Sequence, residues 1–306
     1  RSVVVRGPFY DYIDRARFVD LLADLFNYLT EADVKLIWHN GKFDTRVLNR
    51  VLGMTVPVDH DTMLMHHVLF QAAGLHALKA LCKLYLGADE WEGDLKKWTV
   101  KGAYYENIPY EILAKYNGLD VYWTYKLYLY LEALLEAEPD KQRAYELELE
   151  ASAFLLKVEQ RGIPVDLEAI RNLKDSTAET MTGNLAEMRS ITGLEKFNPN
   201  SPKQIKEWLA KVGAPVEKTD VATIEELKAS EKSVRVTVFC ARLLAYRKAA
   251  KVNSTYAKGW ENAIGPDGRV HPTFKVHGTS TGRLSSSQPN SQNFPRNKEV
   301  RKMVGL

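Results

Sequence analysis

Apolar positions change their spacing along the chain, and these changes divide it into regions of different predicted structure. Short strands at 2–6 and 34–38 alternate with helical periodicity at 14–29 and 43–52. Helical periodicity then continues from 74 to 137. Alternation of strands and helices is typical of a mostly parallel or mixed sheet with flanking helices. We therefore predict an α/β fold for this first region.

The region from 141 to about 262 has almost wholly helical spacing. Glycine and proline interrupt its apolar stripes at 161–164 and 198–202. Asp166 and Ser201 stand at these breaks, immediately before renewed helical periodicity, and are predicted helix N-caps. The second region is therefore predicted to be mainly helical.

The remaining C-terminal part opens with a hairpin-type turn at 266–269, followed by strand-like spacing at 270–276. At 306 residues the chain is long enough for two domains and part of a third. It is 45% hydrophobic and 26% charged, which is ordinary for a globular protein. No apolar run reaches the roughly 18–20 residues that a bilayer span needs, so we expect no membrane partner. Cys82 and Cys240 lie far apart and are expected to be free thiols in a reducing cytoplasm.

Charge is distributed unevenly along the chain. From residue 240 to the end there are twelve lysines and arginines against three acidic residues, a net charge of +9. The whole chain carries +3, so the part before residue 240 carries −6. This asymmetry favours a surface that meets phosphate groups.

The segment 279–295 concentrates hydroxyls, amides and one guanidinium, with almost no apolar side chains. Such a segment cannot close over a core, so its polar groups need partners outside it. The backbone and minor groove of a nucleic acid offer many acceptors to donors of this kind. The alternative is a polar surface loop.

The letters TGRLSS-x-x-PN-x-QN-x-P, at 281–295, resemble the signature that opens the palm of family A DNA polymerases. FN-x-x-S-x-KQ at 197–204 and YR-x-x-x-K at 246–251, followed by STY at 254–256, are similar to elements of the thumb of that family, in the same order. The resemblance implies three domains. They are an α/β exonuclease domain with an RNase H-like mixed sheet (1–138), a mainly helical thumb (139–262), and the first strands of an α+β palm (263–306).

Two short motifs in the first region carry the residues for phosphodiester hydrolysis. Asn40-Gly41-Lys42-Phe43-Asp44 places a carboxylate at a strand-to-helix junction, and Tyr116 precedes Asp120 by one helical turn. Hydrolysis by two metal ions needs several carboxylates and a group that orients the attacking water. Asp44 and Asp120 suit metal binding and Tyr116 suits orientation, and all three resemble catalytic residues of DEDDy 3′–5′ exonucleases. The expected cofactor is Mg²⁺ or Mn²⁺, while Asp61 in the Asp-Thr-Met-Leu stretch is expected to be structural.

The first motif of those exonucleases, an Asp-x-Glu on an early strand, does not occur before Asn40. The two-metal site is therefore expected to be incomplete, with Asp44 and Asp120 alone binding metal weakly. Either the chain begins after that motif or proofreading has been lost. A rival interpretation is a zinc site formed by the cluster of acidic and histidine residues at 59–67.

Nucleic-acid contacts are predicted on two segments. By resemblance Arg283 lies beside the primer 3′ end, where a guanidinium can span minor-groove acceptors. Its neighbours along the groove and backbone would be Thr281, Asn290, Gln292 and Asn293. On the thumb helix four residues at roughly helical spacing form a stripe, called here the polar stripe: Arg247, Lys251, Ser254 and Thr255. The alternative for the stripe is a solvated charged face.

The resemblance implies a DNA-directed DNA polymerase of family A with 3′–5′ proofreading, in the cytoplasm of a bacterial cell or a phage-infected host. The expected partners are primer-template DNA, the dNTPs of the complete enzyme, and a processivity factor or a second polymerase chain. No Asp follows Asp267, so the metal-binding aspartates of nucleotidyl transfer are expected beyond Leu306. The alternatives are a non-catalytic DNA-binding module, a subunit of a split polymerase, and a stand-alone nuclease of the RNase D kind.

Overall fold

The structure is a computed structural model that describes residues 14–71, 75–99, 107–279 and 281–305. Its contacts group into two compact units. Unit 1 comprises Arg1–Arg161 and Phe274–Ser285, and unit 2 comprises Gly162–Thr273 and Ser286–Leu306. This grouping differs from the three-domain division above, whose boundaries remain predictions.

Unit 1 is built mainly from helices. Its described elements are α1 (Arg15–Glu31), β1 (Ile37–Trp38), α2 (Gly41–Leu52), β2 (His60–Asp61), α3 (Thr62–Phe70), α4 (Leu78–Leu86), α5 (Gly93–Lys96), α6 (Tyr110–Glu136) and α7 (Pro139–Arg161). The helices predicted at 14–29 and 43–52 are confirmed, with Asp14 capping α1 through the backbone N–H of Arg17.

The sheet of unit 1 is short in the described residues. β1 and β2 run parallel, with Ile37 opposite His60 and Trp38 opposite Asp61. Parallel strands joined by a helix agree with the expected α/β arrangement. The strand expected at 2–6 lies outside the described residues, and the larger RNase H-like sheet remains a prediction.

The core of unit 1 lies between α3, α4, α6 and α7. On α6, Leu127, Leu131 and Leu135 recur every four residues and are almost completely buried. Leu64 of α3 and Leu81 of α4 pack into the same cluster. Burial of each such side chain contributes about 1.5–3 kcal/mol, so this core holds α6 and its polar face in a fixed orientation.

Unit 2 contains β3 (Ile163–Pro164), α8 (Leu167–Thr192), α9 (Pro202–Lys211), α10 (Val221–Ser230), α11 (Val234–Val252), a π-helical segment (Asn253–Lys258), α12 (Gly259–Glu261), β4 (Arg269–Val270) and α13 (Lys298–Lys302). The mainly helical prediction is confirmed. Asp166 caps α8 and Ser201 caps α9, as expected, by accepting from the backbone N–H groups of Ala169 and Gln204.

Two clusters form the interior of unit 2. One joins α8 to α11 and contains Trp208 against Phe239, with ring centroids 4.2 Å apart. The other surrounds Trp260 and includes Ile170 of α8 and Val300 of α13. α11 and the π-helical segment are therefore fixed on their apolar side, which leaves the opposite side for solvent or a ligand.

Two further strands are β5 (Thr273–Lys275) and β6 (Ser285–Ser287), and each includes a residue position at which the chain changes from one unit to the other. The single strand expected at 270–276 is interrupted at His271-Pro272, since proline cannot donate to a ladder. Across the described residues, no helix is long and apolar enough to cross a membrane.

Candidate active site and nucleic-acid interface

The turn between β1 and α2 is held by one buried carboxylate. Asp61 accepts hydrogen bonds from the backbone N–H groups of Asn40 (3.0 Å), Gly41 (2.8 Å) and Met63 (2.9 Å). Asn40 adopts a left-handed conformation with φ of 63°. A Cβ at Gly41 would lie only 2.6 Å from Cβ of Trp38, so the turn requires glycine there. Asp61 thus has the structural contacts expected of it and sets the direction of α2.

Asp44 lies in the first turn of α2, directly after this junction. Its carboxyl is half-buried, and burial, together with the nearby charge of Asp61, raises its pKa to about 6. A carboxylate binds a hard cation in its ionised form. Asp44 is therefore a partly protonated group near pH 6 and a charged one at higher pH.

Tyr116 and Asp120 lie on consecutive turns of α6, as their spacing predicts. Two residues from outside α6 contact them, and a third, Glu92, pairs with one of these two. Lys79 of α4 donates to the Tyr116 hydroxyl at 2.9 Å and lies 3.7 Å from Asp120 Oδ1. Trp91 Nε1 donates to the same Asp120 oxygen at 2.7 Å, and Glu92 Oε1 lies 2.5 Å from the Lys79 ammonium. We call Lys79, Trp91, Glu92, Tyr116 and Asp120 the α6 cluster.

The ionisation of this cluster follows from its contacts. Burial raises the pKa of Tyr116, which therefore keeps its proton at neutral pH. Burial alone would lower the pKa of Lys79, but its hydrogen bonds to Glu92 and Tyr116 and the charge of Asp120 outweigh that effect and raise it. Lys79 is therefore a permanent positive charge beside Asp120.

The described residues do not form a complete metal site. Among them, no group of three or more histidine, cysteine or acidic side chains is placed to hold a metal ion. A two-metal hydrolase requires more carboxylates than Asp44 and Asp120 supply. The Mg²⁺ or Mn²⁺ ligands therefore remain predictions.

The histidines considered for a zinc site have other partners. His66 contacts His76 (Nδ1 to Nδ1, 2.9 Å) and the Tyr85 hydroxyl (3.0 Å), and His67 contacts Glu148 at 2.9 Å. Burial, followed by the neighbouring histidines, lowers the pKa of His66 to about 4. Both rings lie in the interior of unit 1 and do not converge on a common point with Asp59 and Asp61.

The residues of the polar stripe are of two kinds, exposed residues and one that is held by the backbone of another segment. Lys251, Ser254 and Thr255 of the polar stripe are exposed, as is Lys258 one turn further on. Arg247 differs, because its guanidinium donates to the backbone carbonyl of Thr219 and is half-buried. Burial lowers its pKa, although a guanidinium stays charged. Arg247 therefore anchors the loop before α10, and its phosphate contact remains a prediction.

A π-helical segment carries the end of the polar stripe, where an ordinary α-helix is expected from the sequence. Asn253 begins it and is buried, with Nδ2 donating to the Lys174 carbonyl (3.1 Å) and to Thr177 Oγ1 (2.6 Å). A Cβ on Gly259 would lie 3.2 Å from the Ser254 carbonyl, so the wider turn leaves little room there. Such single turns occur often at functional sites.

The segment 286–297 is attached to the π-helical segment within unit 2. The Tyr256 hydroxyl donates to the backbone carbonyl of Asn293 at 2.6 Å, and Phe294 packs edge-on against Trp260 with centroids 4.8 Å apart. The side chains of Asn290, Gln292 and Asn293 are exposed. Unit 2 therefore presents amides and the exposed part of the polar stripe on elements that pack together.

Thr281 and Arg283 belong to unit 1 and are also exposed. Thr279 Oγ1 donates to the Arg283 carbonyl at 2.7 Å and accepts from its N–H at 3.1 Å. Gly282 has a φ of +69°, which only glycine adopts without strain. The Thr279 hydroxyl thus holds the backbone of Arg283, whose side chain is exposed. Ser280 lies outside the described residues.

Two family models match successive parts of the chain. Residues 10–136 match the family model described as 3′–5′ exonuclease, and residues 167–305 match the model described as DNA polymerase family A. Residues 167–305 belong to DNA polymerase family A. The resemblance stated from the sequence motifs is therefore confirmed.

Relatives in family A come from bacteria and phages. The chain is 33% identical over 293 residues to DNA polymerase I of Synechocystis sp., covering 90% of this chain and 28% of that protein. It is 29% identical over 305 residues to the DNA polymerase of Escherichia phage T5, covering 87% and 34% respectively. The chain thus spans about a third of the length of these relatives.

A solved structure has a similar fold. The POL domain of Pol1 from M. smegmatis, in complex with DNA primer-template and dNTP, matches with a TM-score of 0.76 and 24% identity. The match covers 95% of this chain and 48% of that one.

Sequence reasoning missed three members of the α6 cluster, namely Lys79, Trp91 and Glu92. Lys79 is 37 residues before Tyr116, and Trp91 is 29 residues before Asp120. No short motif spans such distances. Lys79 is brought to α6 by the packing of α4, and Trp91 and Glu92 by the packing of the segment between α4 and α5.

Proposed function

We propose that this chain is the 3′–5′ exonuclease and primer-template-binding part of a DNA-directed DNA polymerase of family A. The observation that carries the proposal is the surface of unit 2, where Lys251, Ser254, Thr255 and Lys258 are exposed on elements whose other side is buried. The two family matches, in the order exonuclease then polymerase, support it. DNA and, in the complete enzyme, dNTPs are the proposed partners.

In this proposal the lysines neutralise backbone phosphates, while hydroxyls and amides donate to phosphate oxygens and minor-groove acceptors. Arg283 contacts the terminal base pair, where acceptors of all four correct pairs sit in similar positions. These contacts recognise the shape of a duplex end. Binding is therefore expected to depend on salt more than on sequence.

DNA binding is tested by fluorescence anisotropy with a labelled primer-template over a range of salt concentrations. The Lys251→Ala/Lys258→Ala variant should bind more weakly and lower the salt slope by about 1.8, since each lost phosphate contact contributes about 0.9. The control Lys203→Ala/Lys206→Ala removes equal charge from exposed positions on α9 and should leave the slope unchanged. Absent or salt-independent binding would contradict the proposal.

The nuclease role is tested separately, with a 5′-labelled single strand and Mg²⁺ or Mn²⁺. Asp44 and Asp120 are the proposed catalytic carboxylates, and Tyr116 is proposed to orient the attacking water. Stepwise shortening from the 3′ end that disappears in Asp44→Ala/Asp120→Ala would support the exonuclease. Normal primer-template binding without any shortening would instead favour a non-catalytic DNA-binding module.

A further inference from the structure

Lys79 lies on α4 and contacts the two α6 residues proposed to act in the nuclease, Tyr116 and Asp120. It lies in the first turn of α4, and its ammonium lies 2.5 Å from Glu92 Oε1, 2.9 Å from the Tyr116 hydroxyl and 3.7 Å from Asp120 Oδ1. The ammonium also stands 4.7 Å from the centre of the Tyr116 ring. One cation thus contacts both α6 residues that the proposed nuclease uses.

The donors and acceptors of these groups determine which group donates to which. A lysine ammonium has only donors, and a phenol has one donor and two acceptor positions. Because Lys79 donates to the phenol oxygen, the phenol proton must point away from the Lys79 ammonium. Trp91 restrains the Asp120 oxygen that Lys79 faces, through a 2.7 Å hydrogen bond. The α6 cluster therefore directs the Tyr116 phenol proton away from the Lys79 ammonium and restrains the Asp120 carboxylate.

Stability alone does not account for this placement. The side chains of Lys79, Glu92 and Asp120 are each more than a quarter exposed, and ion pairs of that exposure contribute about 0–1 kcal/mol. Orientation of reacting groups is worth far more to a reaction rate than to folding, because a displacement of about 1 Å can cost a hundredfold in rate.

We propose that Lys79 is a positioning residue of the exonuclease site, holding Tyr116 and Asp120 in the arrangement that acts on the 3′-terminal phosphodiester of single-stranded DNA. The inference rests on the proposed nuclease function. Glu92 is its counter-ion and keeps the ammonium between α4 and α6.

The test places 3-fluorotyrosine at position 116 of the full chain and records its ¹⁹F NMR resonance. Lys79→Met should move the resonance by more than its linewidth, because the donor to the phenol oxygen is lost. Lys79→Arg keeps a donor and a charge, so its resonance should lie close to that of the unsubstituted chain. The control Lys126→Met removes a lysine that lies 5.9 Å over the ring of Tyr122 on the same helix, and should leave the resonance in place.

A resonance that Lys79→Met does not move would overturn the proposal, as would an equal displacement by Lys126→Met. Equal melting temperatures of the variants establish that the fold is retained. In the single-strand nuclease assay Lys79→Met should lower kcat about tenfold or more with KM within about twofold, since orientation acts on the chemical step. A rise in KM with unchanged kcat would contradict positioning.

The two proposals fail in different ways. An unsubstituted chain that does not degrade DNA counts against the nuclease function, and the fluorine spectra then decide whether Lys79 orients Tyr116. If the unsubstituted chain degrades DNA and Lys79→Met leaves the resonance unshifted, the nuclease function is supported and the role of Lys79 in it is refuted.

Discussion

A buried ion pair beside Asp44 offers the sharpest test of how unit 1 is held together. Glu159 of α7 is 3% exposed and pairs with the ammonium of Lys42 in the first turn of α2. The same carboxylate oxygen accepts from the Phe274 N–H at 2.6 Å, and Lys42 also donates to the Phe274 carbonyl. Arg46 Nη1 lies 3.8 Å from the other oxygen. Burial lowers the pKa of Lys42, so its charge depends on this partner.

Replacing Glu159 with Ala should cost about 3–5 kcal/mol of unfolding free energy, the range for a buried pair that loses one partner. Two lost interactions contribute to this cost. One is the attraction between the two charges, about 4 kcal/mol at 4 Å in a medium of effective dielectric 20, and the other is a charged hydrogen bond of about 1.5–3 kcal/mol. The desolvation of the carboxylate, which the substitution removes, offsets part of their sum.

The assay is urea unfolding followed by circular dichroism, with hydrogen exchange of the α2 amides to assign the loss to unit 1. Glu138→Ala is the control. Glu138 lies directly before the first residue of the same helix, and its pair with Lys141 is exposed and should contribute less than about 1 kcal/mol. Lys42→Met/Glu159→Leu should cost less than the two single losses together. A loss below about 1 kcal/mol for Glu159→Ala, or strict additivity, would refute the reasoning.

Three further outcomes are expected. Burial raises the pKa of Asp44 to about 6, so the ionised carboxylate destabilises the folded state increasingly as pH rises from about 4 to 6. Asp44→Asn should therefore raise the urea midpoint of unfolding at pH 7.5 and leave it unchanged near pH 4. A midpoint that rises near pH 4 and stays unchanged at pH 7.5 would exclude the burial argument. Asn253→Ala removes both hydrogen bonds to α8 and should cost about 1–3 kcal/mol in thermal or urea unfolding, with exposed Asn262→Ala as a near-neutral control. Gly41→Ala should destabilise the chain because its Cβ meets Trp38, whereas Gly183→Ala, in open space on α8, should stabilise it by about 0.5–1 kcal/mol; equal effects in calorimetry would argue against the close contact.

Local signals carried the successful fold predictions. The caps Asp166 and Ser201 mark the starts of α8 and α9, because a capping oxygen and its N–H partner lie within three residues. The same locality placed Asp44 on the first turn of α2, and Tyr116 one turn before Asp120. The family motifs added the order of the domains, which periodicity alone does not contain.

What the sequence did not predict depends on contacts between distant segments. Lys79 reaches α6 only through the packing of α4, and no spacing rule joins residues 37 positions apart. Arg247 has the periodicity of an exposed phosphate ligand, yet the fold offers its guanidinium the Thr219 carbonyl. Strands were overestimated for a related reason, since 270–276 has strand spacing but Pro272 leaves no donor at its centre.

The π-helical segment also determines how the helix face before it is rotated relative to the helix face after it. A turn with one residue more than the α-helix shifts the faces before and after it by about 100°, because each α-helical residue advances by that angle. Lys251 precedes the segment and Trp260 follows it, so the extra residue determines which way the lysine faces when the indole is seated in the core. Removing a single residue between them would turn the basic face away from its present direction without altering any of its side chains.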